Sequence, residues 1–316
     1  MSKFINKILR IAGALGLFCL LSYAFNQYLF NRIGPNLAAD AKIVSCGVSM
    51  SQFALSDSLI RDFENLSVKG RSGLGVYKTA KMLVQHNPQI EYLVMDFSIL
   101  GMALYRDYKF FLPVFAPNEF YNVYPLTTWR DLSAYPLNYK YYIKNQMRYE
   151  WVPNLEYIEA ALASSFSFFD ADLPYLGHFD PHYGTHLDNL DEWKNRLKQM
   201  QRLSGETAPM SKIDISYTDS IAQFAEREKI GLVIFCPPVH ADAQGILPEP
   251  YHDAFAHFIH QAESRGHQVF DFTDFALADS LFFNHTHVNA EGAAVISRAF
   301  QDSLEQLIVN STDGTE

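Results

Sequence analysis

The stretch "SCGVSMSQFALSDSL", residues 45–59, follows the apolar pair Ile43-Val44 and places Ser49 two residues beyond Gly47. A short apolar run that ends in a glycine and passes into a serine-led segment reads as the first strand-to-helix turn of a parallel α/β sheet. In such sheets ligands bind beyond the carboxyl ends of the strands. Ser49 then has two readings. It is the cap of the helix that follows, an ordinary job for serine, or it is a nucleophile, which needs a base brought from elsewhere in the chain.

Working outward, the pattern alternates. "KIVSCG" (42–47) reads as a strand, "VYKTAKMLVQH" (76–86) as a helix and "IEYLVMDFS" (90–98) as a second buried strand. Residues 101–150 then fill with Tyr and Phe, and Pro113, Pro117, Pro125 and Pro136 interrupt any period. This marks an insertion of about residues 101–185, read as an aromatic subdomain on the main sheet, with a ligand-stacking surface as the other reading. Regularity returns with the helices "LDNLDEWKNRLKQMQRLS" and "DSIAQFAEREK", the strand "GLVIFCPP", the helix "YHDAFAHFIHQAESRG", the strand "HQVFDFT" and a final helix from near Ala290. Alternation of this kind predicts a doubly wound, flavodoxin-like, mainly parallel sheet over residues 41–309, followed by a flexible tail at 310–316.

The N-terminus carries a second signal. Lys3, Lys7 and Arg10 precede "IAGALGLFCLLSYAFNQYLFN", residues 11–31, which holds no charged residue and has the length of a membrane-crossing helix. Basic residues ahead of it place residues 1–10 in the cytoplasm and the bulk of the chain outside, behind a linker at 32–40. A cleaved signal peptide is the competing reading. A net charge of −10 excludes the basic footprint of a nucleic-acid binder. Cys19 lies in the anchor; Cys46 and Cys236 each close a strand-like run, where they act as small hydrophobes or pair only if those strand ends are neighbours.

Three blocks resemble those of the SGNH (GDSL-type) hydrolase superfamily. They are "IVSCGVSMSQFALSDSLI", "NLSVKGRSGLGVYKTAKMLVQHNPQIEYLVMDFS" and "FFNHTHVNAEGAAVIS", spread over roughly residues 41–100 and 215–305. With the anchor, the chain is similar to the membrane-held, surface-exported branch associated with polysaccharide or teichoic acid acylation. The resemblance implies Ser49 as nucleophile, His287 as general base, and backbone amides of Ser49 and Gly70 as oxyanion donors. Ser98 stands where the family has a third donor, an Asn. The departures are Val48 for an Asp, Met50 for a His, and Asn284 for the Asp that orients the histidine. His285, between Asn284 and His287, is read as solvent-facing.

Two histidine groups invite a metal reading. His178, His182 and His186 are four apart, but Pro181 and Gly184 preclude a helix; His257 and His260 share a helix face without a carboxylate partner. Neither predicts a metal, and no cofactor is predicted. His240, after "CPPV", lines the Ser49 cleft or faces water. The functional expectation is an extracytoplasmic esterase or O-acyltransferase acting on acylated cell-surface glycan. The alternative is an accessory protein of weakened chemistry that binds glycan or a membrane O-acyltransferase.

Overall fold

The computed structural model describes residues 2–32, 36–102, 155, 158, 176–187, 190–206 and 210–313. Most of the expected insertion at 101–185, and the last three residues of the expected tail, lie outside the described residues. The chain divides into two compact units, Met1–Asn36 with Phe110–Tyr175, and Leu37–Lys109 with Leu176–Glu316.

In the first unit, α1 (Ser2–Arg32) is a single helix whose Ser2–Asn26 portion holds an 18-residue stretch of mean hydropathy 1.9, long and apolar enough to cross a membrane. Phe4, Leu9, Leu15 and Leu20 are all exposed along it, a surface that hydrocarbon solvates and water does not. The helix starts ahead of the span expected from residue 11 because Lys3, Lys7 and Arg10 are good helix formers.

The second unit is built on a parallel sheet. β1 (Ile43–Ser45) leads to α2 (Ser49–Ala54), β2 (Phe63–Asn65), α3 (Gly73–His86) and β3 (Tyr92–Asp96). After α4 (Leu190–Ser204) and α5 (Lys212–Glu228) come β4 (Gly231–Cys236), the short α6 (Ala241–Gly245), α7 (Glu249–Ser264) and β5 (Gln268–Asp271). A two-stranded antiparallel hairpin of β6 (Phe282–Asn284) and β7 (His287–Val288) precedes α8 (Ala290–Asp313), which continues past the expected end at 309. The strand order is β2-β1-β3-β4-β5, all parallel, the flavodoxin-like doubly wound arrangement.

Both faces of the sheet are covered, which is why its central strands read as unbroken apolar runs. On one face Val94, Val233 and Phe235 pack with Ala293, Ile296 and Phe300 of α8. On the other, Leu232 and Ile234 of β4 line a small space with Ala222 of α5 and Phe258 of α7, and Tyr77 of α3 meets Tyr217 and Phe224 of α5.

Polar groups pin α2 in place. Asn65, 1% exposed, donates from Nδ2 to the carbonyls of Ser51 (2.8 Å) and Leu55 (2.7 Å), while its Oδ1 accepts from the Ser67 amide at 3.1 Å. From α8, Ser297 Oγ donates to Ala54 O (3.0 Å) and accepts from the Ser56 amide (2.9 Å). Each carries a buried backbone group that a short helix leaves unpaired. Asn65→Ala is expected to destabilise the chain by about 2–4 kcal/mol, because it strands the Leu55 carbonyl and the Ser67 amide and removes a second acceptor contact at Ser51 O; a urea midpoint unchanged from the parent chain would contradict this.

Candidate active site

Ser49 owes its position to the strand on either side of its turn. β1 ends at Ser45, and Val48 is extended (φ −111°, ψ −155°) where the helix begins, with no side-chain cap of its own. The cap comes from the next strand: Asp96, at the carboxyl end of β3, accepts the Val48 amide at 2.7 Å and the Ser51 amide at 3.2 Å. A Cβ on residue 47 would overlap Asp96 Oδ1, so Gly47 is what lets the carboxylate approach the backbone. Asp96 takes the amides on either side and leaves those of Ser49 and Met50 without a partner among the described residues. Ser49 is therefore not the cap. Its Oγ lies 3.0 Å from His287 Nε2, joining residues 238 positions apart.

The hairpin β6–β7 fixes the imidazole. Asn284 Oδ1 accepts the backbone amides of Thr286 and His287, both at 2.9 Å, which settles that the amide's oxygen, not its nitrogen, faces the ring. Thr286 Oγ1 stands 3.0 Å from that oxygen and 3.0 Å from His287 Nδ1, and Nδ1 is 3.2 Å from Asn284 Oδ1. Two acceptors this close to Nδ1 require the proton there. The chain of donors then runs consistently, with Nδ1–H donating to Thr286 and Asn284, Thr286 Oγ–H donating to Asn284, and Nε2 left to accept from Ser49.

The surroundings are apolar. Phe53 of α2 meets the His287 ring edge-on at 5.1 Å, and His182 packs on Phe53 (4.0 Å) and stacks on Phe283 (4.1 Å), its ring 6.2 Å from that of His287. Loss of hydration pulls the pKa of His287 down to about 3, with a smaller contribution from His182. His182 is itself lowered by burial, against the opposing charge of Asp180. His287 therefore rests neutral, the form able to take a proton, and among the described residues none of its first contacts carries the negative charge that would stabilise it once protonated.

The other expected residues divide. Gly70 holds the left-handed conformation (φ 73°) in a turn where Arg71 N donates to Val68 O, and Gln52 Oε1 of α2 accepts the Lys69 amide at 2.7 Å; the glycine loop is thereby tied to the helix that carries Ser49. The Ser98 hydroxyl accepts the Gly101 amide at 2.9 Å and caps the turn Ile99–Met102, an ordinary structural task. His285 was expected to face solvent but is 2% exposed, because its carbonyl accepts the His240 amide at 3.1 Å and folds the hairpin onto the loop after β4. His240 is likewise buried and does not face water, its ring against Phe282 and His285.

His178, His182 and His186 lie in an irregular segment, and of them His182 joins the site as an aromatic wall; His257 and His260 are exposed on α7. The three cysteines are free. β3 separates the strands that Cys46 and Cys236 follow, and burial pushes the Cys46 thiol up to about 12.

Sequence reasoning missed Asp96 and Thr286. A signal for the first was present, since a lone carboxylate ending the run "YLVMD" is an unusual place for a charge unless something there accepts it. Asp96→Ala is expected to destabilise the chain by about 2–4 kcal/mol, since two backbone amides lose a charged acceptor. Gly47→Ala should do the same by displacing the carboxylate. Thermal or urea unfolding of both variants checks this, and a Gly47→Ala chain as stable as the parent would show that Asp96 is not held as described.

Neither a protein-family model nor a curated protein sequence matches the chain. Among solved structures, it is similar to a protein of Bacteroides fragilis described as an acylhydrolase, at TM-score 0.41 and 9% identity over 88% of this chain and 93% of that one. It is also similar to an Agrobacterium tumefaciens protein described as an arylesterase (TM-score 0.36, 13% identity, 84% and 98% covered) and to a Sinorhizobium meliloti carbohydrate acetylesterase family member (TM-score 0.29, 12% identity, 84% and 98% covered). Likenesses this loose carry no argument about chemistry, which rests on the Ser49–His287 geometry.

Proposed function

We propose that the chain is a membrane-anchored, extracytoplasmic esterase or O-acyltransferase of SGNH type that acts on acyl groups of cell-surface glycan. The observation that carries this reading is the 3.0 Å contact of Ser49 Oγ with His287 Nε2, in a ring whose Nδ1–H is held by Asn284 and Thr286. Ser49 attacks the acyl carbonyl as its proton passes to Nε2. The tetrahedral oxyanion is met by the Ser49 amide, with Gly70 as second donor. Collapse returns that proton to the departing alkoxide and leaves acyl-Ser49. Water, or a glycan hydroxyl, then attacks with His287 again as base, which distinguishes hydrolysis from transfer. The glycan and the outward orientation are supported by the resemblance to the anchored branch and by the basic residues ahead of α1.

Asn284 sets the expected rate. In the trypsin triad an Asp-to-Asn change costs about ten-thousandfold in kcat because the imidazole adopts the wrong tautomer. Here the backbone of Thr286 and His287 holds the asparagine oxygen toward Nδ1, so the tautomer is correct and the deficit is confined to charge. A second reading is favoured by that same deficit: an imidazole lowered to about 3 is a poor base, as in an accessory protein that binds glycan or a membrane O-acyltransferase without turning it over.

Treating the detergent-solubilised full-length chain with a fluorophosphonate and mapping the adduct separates the two readings. The enzyme reading expects modification at Ser49, lost in Ser49→Ala and slowed at least tenfold in His287→Ala. It also expects Asn284→Asp to raise the turnover of an acetyl ester by at least tenfold, since a carboxylate stabilises the imidazolium. A folded chain that takes no label, with Asn284→Asp equally inert, supports the accessory reading.

A further inference from the structure

Behind the hairpin, on the side of its buried turn, lies a cluster that the proposed chemistry does not use. His240, Asp242 and His285 each bring one ligand-type atom within 4.8 Å of the others. His240 Nδ1 is 3.7 Å and His285 Nε2 is 3.9 Å from Asp242 Oδ2. The two rings stand perpendicular with centroids 5.1 Å apart. Ligands of a tetrahedral zinc ion, at bonds of about 2.0–2.1 Å, are about 3.3 Å from one another; the two histidine–carboxylate gaps exceed that by about half an ångström, and the two imidazole nitrogens lie within 4.8 Å of each other. Asp242, its side chain 62% exposed, can close the first two by a small rotation, and the third closes by a turn of an imidazole ring.

We propose that His240, Asp242 and His285 hold a divalent transition cation, Zn2+ by the character of two imidazoles and one carboxylate, which clamps the β6–β7 hairpin to the loop after β4. The neighbouring groups are arranged for it. His240 Nε2 lies 3.3 Å from Asp279 Oδ1, so this nitrogen donates to a carboxylate and turns Nδ1 toward the cluster, the usual outer support of a metal-bound histidine. Coordination replaces the 3.2 Å hydrogen bond that Nδ1 accepts from the Asp242 amide. The imidazoles are buried, His285 at 2% and His240 at 8% exposure, while the exposed carboxylate leaves an entry path and a fourth position for water. The ion touches no reacting atom; it acts as a structural tie on the segment Asn284–His287.

The inference is independent of the esterase reading, and its test reads metal rather than ester. The full-length chain, stripped with a chelator, is titrated with Zn2+ alone by calorimetry. One ion per chain is expected, with a rise in melting temperature through binding to the folded state. Asp242→Asn, His240→Gln and His285→Gln should each weaken binding at least tenfold, Asp279→Asn about tenfold through the lost outer contact, and His257→Ala not at all. Because Asp242 is exposed, its asparagine variant should melt with the metal-free parent, which separates lost ligation from lost folding. X-ray absorption of the zinc-loaded parent should show two imidazole neighbours. No zinc uptake, binding that Asp242→Asn leaves unchanged, or a spectrum without two imidazoles would overturn the proposal.

Discussion

The candidate site depends on one carboxylate reaching from β3 to the turn that follows the neighbouring strand, β1. Asp96 holds the amides of Val48 and Ser51, and through them sets the direction of the first turn of α2. Position 48 offers no capping side chain, so without this acceptor the start of a six-residue helix would have no charged partner in an otherwise buried place. Everything downstream follows geometrically: the helix presents Ser49, Asn65 and Ser297 fix its far end, and the hairpin meets it at 3.0 Å. Gly47 is the enabling residue because its missing Cβ leaves room for the carboxylate.

Much of the fold was legible because a doubly wound sheet prints itself as unbroken apolar runs between amphipathic helices. "YLVMD" and "GLVIFC" fall where strands were expected, since burial on both faces demands it. β2 was not, because "FEN" is three residues long at a sheet edge and its central Glu64 leaves no apolar run to read. The hairpin was hidden in a polar loop for a related reason: its strands are held by the side chain of Asn284 as much as by pairing, and no periodicity records that.

The site itself was half legible. Block resemblance brought Ser49, Asn284 and His287 together, which geometry then joined. His285 reads in the sequence as a surface residue, whereas it is buried against the His240 loop. The miss has a physical cause. Sequence places a residue at the end of a strand, but which way its side chain points depends on backbone groups that need partners, and those are set by tertiary contacts. Asp96 shows the converse, a residue whose importance is invisible until the amides of another strand are seen beside it.

The contact between Ser49 and His287 spans 238 positions, and its two halves lie in α2 and β7. A growing chain therefore holds the serine long before the histidine exists. Until α8 docks on β3 and β4 and brings the hairpin onto α2, Ser49 has no imidazole beside it. Closing so long a loop is slow and late in folding, so the Ser49–His287 contact forms in the final step of assembly, and no shorter intermediate holds the two side chains together.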